Sequence, residues 1–423
     1  MITPQEFAAR RQKLLSRLPK ESIALIWAAP EVYRNNDTHY PYRQNSDFYY
    51  LTGFKEPNAV AMFIPNRPEG EFILFNRPKD PSKEIWTGAY LGQAGAVKSL
   101  GADEAFPITD LEAQLEALLL EKHRLYFPLG QDLAWDAKLQ GWLATFQKKN
   151  RRAIFPAEFF NLNELVHEMR LVKSIAEIAL MRKAAQISAQ AHIRAQQVCR
   201  EGLYEYHLQA DIEHEFKTHN TVPAYGSIVG SGENACTLHY VDNDALLSKG
   251  ALVLIDAACE VDYYAADITR TFPVSGEFSA AQKQIYNLVL STQLSVIELI
   301  KPGLPYDELQ KKACRLITAG LLAMGLLSGQ LEELLEQKAY RPFYMHNIGH
   351  WLGLDVHDVG LYQIEGQSRL LEAGMVLTVE PGIYIAADNL NVEATWRGIG
   401  VRIEDDVLVT ESGYEVLSQA APK

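Results

Sequence analysis

After Ser174 the sequence changes texture several times, and the order of those changes limits what it can fold into. Ser174-Ile175-Ala176-Glu177 reads as a capping box, so a long helix is expected from there to about Cys199. Glu201-Gly202-Leu203 breaks it, and YEYHLQADIEHEFKTHN (204–220) reads as a second helix. Beyond Pro223 the signals are β. ALVLIDAACEVDYYAADITRTFPV (251–274) holds two apolar runs around a turn and predicts a hairpin. Helical patterns return from Ala280 to about Glu336, and MVLTVEPGIYI (375–385) and GIGVRIEDDVLVT (398–410) are strands again. Helices followed by strands, twice over, predict an α+β domain over residues 166–423, with room for internal symmetry.

Residues 1–165 read differently. The opening MITPQEFAARRQKLLSRLPKES has an amphipathic helical pattern. SIALIWAAP (22–30), AVAMFIP (59–65), EFILFN (71–76) and RLYFPL (124–129) read as buried strands, and LEAQLEALLLEKH (111–123) as a helix. This predicts a mixed α/β N-terminal domain, in keeping with a 423-residue chain too long for one core.

The formal charge of −13 argues against a nucleic-acid backbone binder and against docking on an anionic membrane. No run of 18 apolar residues occurs. Cys199, Cys236, Cys259 and Cys314 lack CxxC spacing, so packed free thiols in a reducing cytoplasm are expected.

Four acids sit where a solvated carboxylate is not expected. Asp256 ends the run LVLID, and Asp267 opens DITRTF. Glu380 ends VLTVE before Pro381-Gly382 stops the strand. In GVRIEDD, alternation turns Arg402 and Glu404 away from Val401 and Ile403. Four carboxylates in one cleft repel one another unless cations compensate, and two divalent ions balance −4. HNIGHWLGLDVHD (346–358) adds histidines. Such an oxygen-rich set with imidazole suits Mn²⁺ or a similar six-coordinate ion. Two such ions can hold a bridging hydroxide for hydrolysis, and two-metal phosphate chemistry stays open on these grounds.

In order and local context, Asp256, Asp267, His350, Glu380 and Glu404 resemble the metal-binding blocks of the pita-bread metallopeptidases, most nearly the Xaa-Pro aminopeptidase (aminopeptidase P) family. YPYRQNSDFYYLTGF (40–54) and SIVGSGENACTLHY (227–240) resemble two further blocks of that family. The resemblance implies a pita-bread catalytic domain and two divalent ions, most readily Mn²⁺, with Asp267 and Glu404 bridging both. It implies that Glu380 takes a proton from the attacking water, and that His357 and His239 lie at the scissile bond. His346, Tyr384 and Arg402 are implied on the proline side, with Tyr225 close to the metals. Asp355 and Asp358 are read as structural or orienting groups in a hydrogen-bonded loop. The implied reaction releases the first residue of peptides with proline second, in a cytoplasmic homo-oligomer, dimer or tetramer.

Prolidase, which cuts only Xaa-Pro dipeptides, shares this ligand set, and the 40–54 block favours the aminopeptidase. A catalytically inactive pita-bread binding protein is the remoter alternative, against which the complete ligand set argues. Methionine aminopeptidases and metal-free creatinase relatives fit less well. Other candidates read as structural. His207 and His214 lack HExxH spacing and belong to a solvated helix. Lys148, Lys149, Arg151 and Arg152 read as surface charge, and Gly230-Ser231-Gly232-Glu233 is too short for a phosphate loop. Trp86 reads as a core aromatic, although the resemblance implies that it, with Asp37, reaches a neighbouring subunit's site.

Overall fold

SIALIW (Ser22–Trp27, β1) shows no polar–apolar alternation, and such a strand must be covered on both faces. In the computed structural model, which describes residues 1–423, all six of its residues are buried inside a six-stranded sheet. With β2 (Val60–Phe63), β3 (Phe72–Asn76), β4 (Glu104–Pro107), β5 (Arg124–Phe127) and β6 (Glu158–Asn161), the order is β4-β3-β2-β1-β5-β6. β1/β2 and β2/β3 are antiparallel, while β3/β4, β1/β5 and β5/β6 are parallel.

The sequence opens with α1 (Pro4–Leu15), capped by Thr3, and α2 (Ser46–Thr52) lies in the 40–54 block. Then comes α3 (Pro81–Thr87), which starts at an Asp80 cap, stops at Gly88 and buries none of its residues. Trp86 is therefore not a core aromatic: it is 86% exposed and its neighbour Ile85 82%. α4 (Leu111–Leu119) and α5 (Leu133–Lys149) supply Leu115, Leu139, Leu143 and Phe146 to a core shared with β1 and β5. The outer strands β4 and β6 do not stand out in the sequence, because both are only four residues long and neither is buried.

The chain divides into two compact units, Met1–Arg170 and Leu171–Lys423, within α6 (Asn163–Leu171). In the second unit, α7 (Ile175–Val198) begins with the expected box: Ser174 Oγ accepts from the Glu177 N–H, and the Glu177 carboxylate accepts from the Ser174 N–H. α8 (Glu205–Thr218) follows, then β7 (Ile228–Ser231), β8 (Leu252–Asp256) and β9 (Thr269–Pro273) in one antiparallel sheet. The expected hairpin is thus the β8/β9 pair, with Asp256 opposite Thr269, and a smaller hairpin at 259–265 sits inside it.

Helices α9 (Ala280–Ile297) and α10 (Asp307–Ala323) precede β10 (Val376–Val379), β11 (Gly382–Ile385), β12 (Ile399–Arg402) and β13 (Asp405–Val409), so the helices-then-strands order repeats. β10 pairs with β13 and β11 with β12, all antiparallel. The two ladders meet where the chain passes through Glu380-Pro381 on one side and Ile403-Glu404 on the other. Ile285, Val289, Ile317, Leu377, Val401 and Ile403 form the core beneath. No helix is long and apolar enough to cross a membrane.

Candidate active site

Each acid is placed by the strand that carries it. Asp256 is the last residue of β8, and Asp267 lies two residues before β9, past the last β8/β9 pair. Glu380 and Glu404 occupy the two joints between ladders. The backbone holds these joints in place: the Glu404 N–H donates to the Thr269 carbonyl (3.1 Å) and the Glu380 N–H to the Ile348 carbonyl (2.8 Å). His350 reaches the same place because Gly349 lies against β10, where a Cβ would overlap the Thr378 carbonyl oxygen. The His350 N–H donates to Thr378 Oγ1 (3.1 Å), and its Nδ1–H donates to the Trp351 carbonyl (2.9 Å). That second bond fixes the ring's orientation and leaves Nε2 facing the acids, 3.4 Å from Asp267 and 3.6 Å from Glu380.

The result is a cleft of about 350 Å³ lined by Asp256, Asp267, His350, Glu380, Arg402 and Glu404. His239, His346 and His357 line it too, with His239 and His357 exposed. Tyr225 OH lies 2.6 Å from a carboxylate oxygen of both Asp256 and Asp267. Arg402 donates to Asp256 (2.6 Å), Thr269 Oγ1 (3.1 Å) and Tyr384 OH (3.1 Å). The Tyr384 hydroxyl in turn donates to His346 Nε2 (2.9 Å), whose Nδ1–H goes to the Asn347 carbonyl (2.8 Å). The His357 ring stands edge-on to His350, centroids 4.3 Å apart.

Negative charge is in excess here, and the acidities record it. Burial, with the charge of Asp267, Glu380 and Asp256, holds the Glu404 carboxyl well above the usual range. Burial likewise lifts Glu380 to about 7 against the pull of His350 and Arg402, and raises Asp256 despite Arg402. For His350 burial acts downward, but the hydrogen bond and charge of Asp267, with Glu380, carry it up to about 9. Burial pushes His346 down to about 4, so it is neutral at pH 7.

The donor set fits metal. Ligand atoms of Asp267, His350 and Glu404 all lie within 4.8 Å of one another. Atoms on opposite sides of a hard six-coordinate ion, with bonds near 2.1 Å, are about 4.2 Å apart. Tyr225 also has a single phenol proton for two carboxylate oxygens, so one of the two close contacts is left without a donor.

All eleven residues singled out in the sequence lie in or against this cleft; Tyr225 and Tyr384 touch it through hydrogen bonds. Asp358 forms a buried ion pair with the Lys173 ammonium at 2.9 Å. His207 is a helix cap, its Nδ1 accepting from the Tyr204 N–H (3.0 Å), and His214 is exposed. The four cysteines are free thiols. Sequence reading overlooked Thr269, whose hydroxyl donates to Glu404 (2.6 Å), although alternation from Asp267 puts it on the same face. It also overlooked Gln310, which accepts the Ile348 N–H (2.5 Å), and Tyr306, which donates to the Gly349 carbonyl (2.5 Å). Both come from distant helical segments and carried no local signal.

Residues 179–411 match metallopeptidase family M24, and residues 7–126 match the aminopeptidase P N-terminal domain. Among relatives, the Xaa-Pro aminopeptidase of Escherichia coli K12 is 48% identical, over 100% of this chain and 96% of its own length. An Arabidopsis thaliana protein, mitochondrial intermediate cleaving peptidase 55, is 34% identical over 100% of this chain and 82% of its own. The structure of Pseudomonas aeruginosa aminopeptidase PepP superposes with a TM-score of 0.98 at 52% identity, covering 100% of this chain and 96% of that one. Escherichia coli aminopeptidase P with the inhibitor Pro-Leu gives 0.96 at 47%, with the same coverage. The chain belongs to metallopeptidase family M24. It is a metallo-aminopeptidase, a hydrolase, and its α+β architecture is the pita-bread fold preceded by a mixed α/β domain, as the motifs implied.

Proposed function

We propose that this enzyme releases the first residue from peptides whose second residue is proline, using two divalent ions, Mn²⁺ by preference. The observation that carries the reading is the convergence of Asp256, Asp267, His350, Glu380 and Glu404 on one cleft. These five residues would hold the ions. When bound, the ions supply Lewis acidity and hydroxide at neutral pH.

The chain's own residues do the rest. Glu380 takes a proton from the attacking water. His357, exposed beside His350, contacts the scissile carbonyl or helps protonate the departing nitrogen, and His239 flanks the same bond. Tyr225 fixes the carboxylates of Asp256 and Asp267 with one hydroxyl. On the other side the chain from Arg402 through Tyr384 to His346 presents a neutral imidazole and a buried phenol to the proline ring. A bond before proline is a tertiary amide without N–H, so a cleft that recognises it works through shape. The prolyl dipeptide held by the Escherichia coli relative has the form of what remains once a first residue departs.

We extend the proposal to a cytoplasmic homo-oligomer, dimer or tetramer. The free cysteines support the compartment. The bare α3, with Ile85 and Trp86 exposed, supports assembly.

The test is hydrolysis of an Xaa-Pro dipeptide and of a longer peptide with proline second, with added Mn²⁺. Release of only the first residue from the longer peptide is the expected result. Cleavage of the dipeptide alone makes the enzyme a prolidase, and turnover of neither substrate by metal-loaded protein sinks the proposal.

A further inference from the structure

Behind the cleft the chain builds a second polar cluster that the reaction does not use. Asp405, the residue after Glu404, is 0% exposed, and its carboxylate accepts four hydrogen bonds. Arg270 Nη2 and Ser418 Oγ donate to one oxygen, each at 2.7 Å. Gln293 Nε2 and Lys423 Nζ donate to the other, each at 2.6 Å. Three of the four, Arg270, Gln293 and Ser418, also hold the backbone near a cleft acid, and Lys423 braces Gln293. Arg270 Nη1 donates to the carbonyls of Glu404 (2.6 Å) and Thr269 (2.9 Å). Gln293 Nε2 reaches the carbonyl of Val379, which precedes Glu380 (3.4 Å), and its Oε1 accepts from Lys423 (2.8 Å). Next door, Asp406 accepts the N–H of Asp267 on both oxygens (3.1 and 3.2 Å), while its own N–H donates to Ser418 (3.0 Å).

We infer that this cluster is the positioning device of the metal centre and that Lys423, which touches none of the ligands itself, sets it. The inference rests on the two-metal reading above. Asp405 and Asp406 bring two buried carboxylates within two residues of Glu404, and Arg270 and Lys423 are the two cations in the cluster. Without the Lys423 ammonium, Asp405 loses a charged donor and Gln293 loses the partner that aims its amide at Val379. The joints at Glu380 and Glu404 then relax together. Groups that orient metal ligands from behind typically contribute about 10–100-fold to metal affinity. Lys423 is suited to substitution because its side chain is 21% exposed, so a shorter or neutral replacement meets water rather than an empty cavity.

The experiment compares metal-free wild type with Lys423→Met and Lys423→Arg, and with Arg182→Met as a control. Arg182 makes a half-exposed ion pair with Glu415 (2.9 Å) elsewhere in the same unit. Mn²⁺ affinity is measured by calorimetry, the visible spectrum of the Co²⁺-loaded protein reports ligand geometry, and thermal melting of the metal-free form reports bulk stability. Lys423→Met is expected to bind Mn²⁺ about tenfold more weakly and to alter the Co²⁺ spectrum. Lys423→Arg should restore most of both, and Arg182→Met should change neither. If Lys423→Met lowers the melting temperature but leaves affinity and spectrum at wild-type values, the cluster is structural only and the inference fails. Wild-type protein that takes up no Mn²⁺ removes the two-metal reading, and this inference with it.

Discussion

Asp47 in the first unit and Glu404 in the second are both buried carboxylates, and they are held in opposite electrostatic states. Burial alone raises both. For Asp47 the Arg170 guanidinium at 2.7 Å and His167 at 3.1 Å overcome it and bring the carboxyl down to about 2. For Glu404 burial is joined by the charge of Asp267, Glu380 and Asp256, which Arg402 offsets only in part, so its carboxyl stays well above the usual range. The first unit supplies its buried acid with a counter-charge in the sequence. The second gathers acids that its sequence does not neutralise, which is the mark of a site completed from outside.

The strongest way to break this contrast is to remove acids from each side. Asp267→Ala or Glu404→Ala is expected to lower kcat/KM on a proline-second peptide, with Mn²⁺ present, by roughly a thousandfold or more, since lost Lewis-acid stabilisation is worth several kcal/mol. Retention of even a tenth of wild-type turnover would mean the cleft acids are not the metal's. Asp47→Ala should leave the cleft's chemistry alone and instead cost about 3–5 kcal/mol in urea unfolding, because the buried Arg170 loses its carboxylate partner at 2.7 Å. The Asp47 contribution has a definite sign with pH. The folded pKa lies below the ordinary 3.8, so the stabilisation is fully present above about pH 4 and is lost as pH falls through about 2.

His192 sharpens the comparison from within the catalytic unit. It is 2% exposed, donates Nε2–H to the Ala257 carbonyl (2.9 Å), and burial, with the charge of Arg270, pushes it down to about 4. Here the unfolded chain binds the proton first. Stability is unaffected above about pH 6.5 and declines as pH falls from there to about 4, by roughly 3 kcal/mol for a shift of this size. Unfolding of Mn²⁺-loaded wild type and His192→Gln across that range should separate the two curves, and parallel curves would assign the acid sensitivity elsewhere. The smallest effect expected is a gain. Glu380→Gln, by removing one repelling charge from metal-free protein, should raise its melting temperature by about 2–4 °C, as for roughly 1 kcal/mol. The same variant should lose most of the stabilisation that Mn²⁺ gives the wild type; a lower melting temperature without metal would show the cleft acids already balanced.

The strands and acids of the site were legible because chemistry and periodicity coincide there. LVLID, VLTVE and GVRIEDD each put a carboxylate where an apolar run meets a turn, and alternation assigns it a face. The capping box at Ser174 fixed the start of α7 for the same local reason. What could not be read is everything held by distant partners. The hairpin at 259–265 inside the β8/β9 pair is too short to interrupt the apolar pattern. Nothing in the sequence ties Arg270 and Gln293 to residues 418–423, since their hydrogen bonds span more than a hundred residues. Trp86 misled because a large aromatic is usually buried, and the shortness of α3 outweighed that preference.

That same Trp86 gives the chain an optical property. Trp27, Trp142 and Trp351 are enclosed, whereas Trp86 stands open to solvent on a helix with no buried residue. Of the six indoles, it is the one that a collisional quencher such as iodide reaches most freely. Emission quenchable in dilute solution and shielded at higher concentration would therefore report a second copy settling on α3, in real time and without a label.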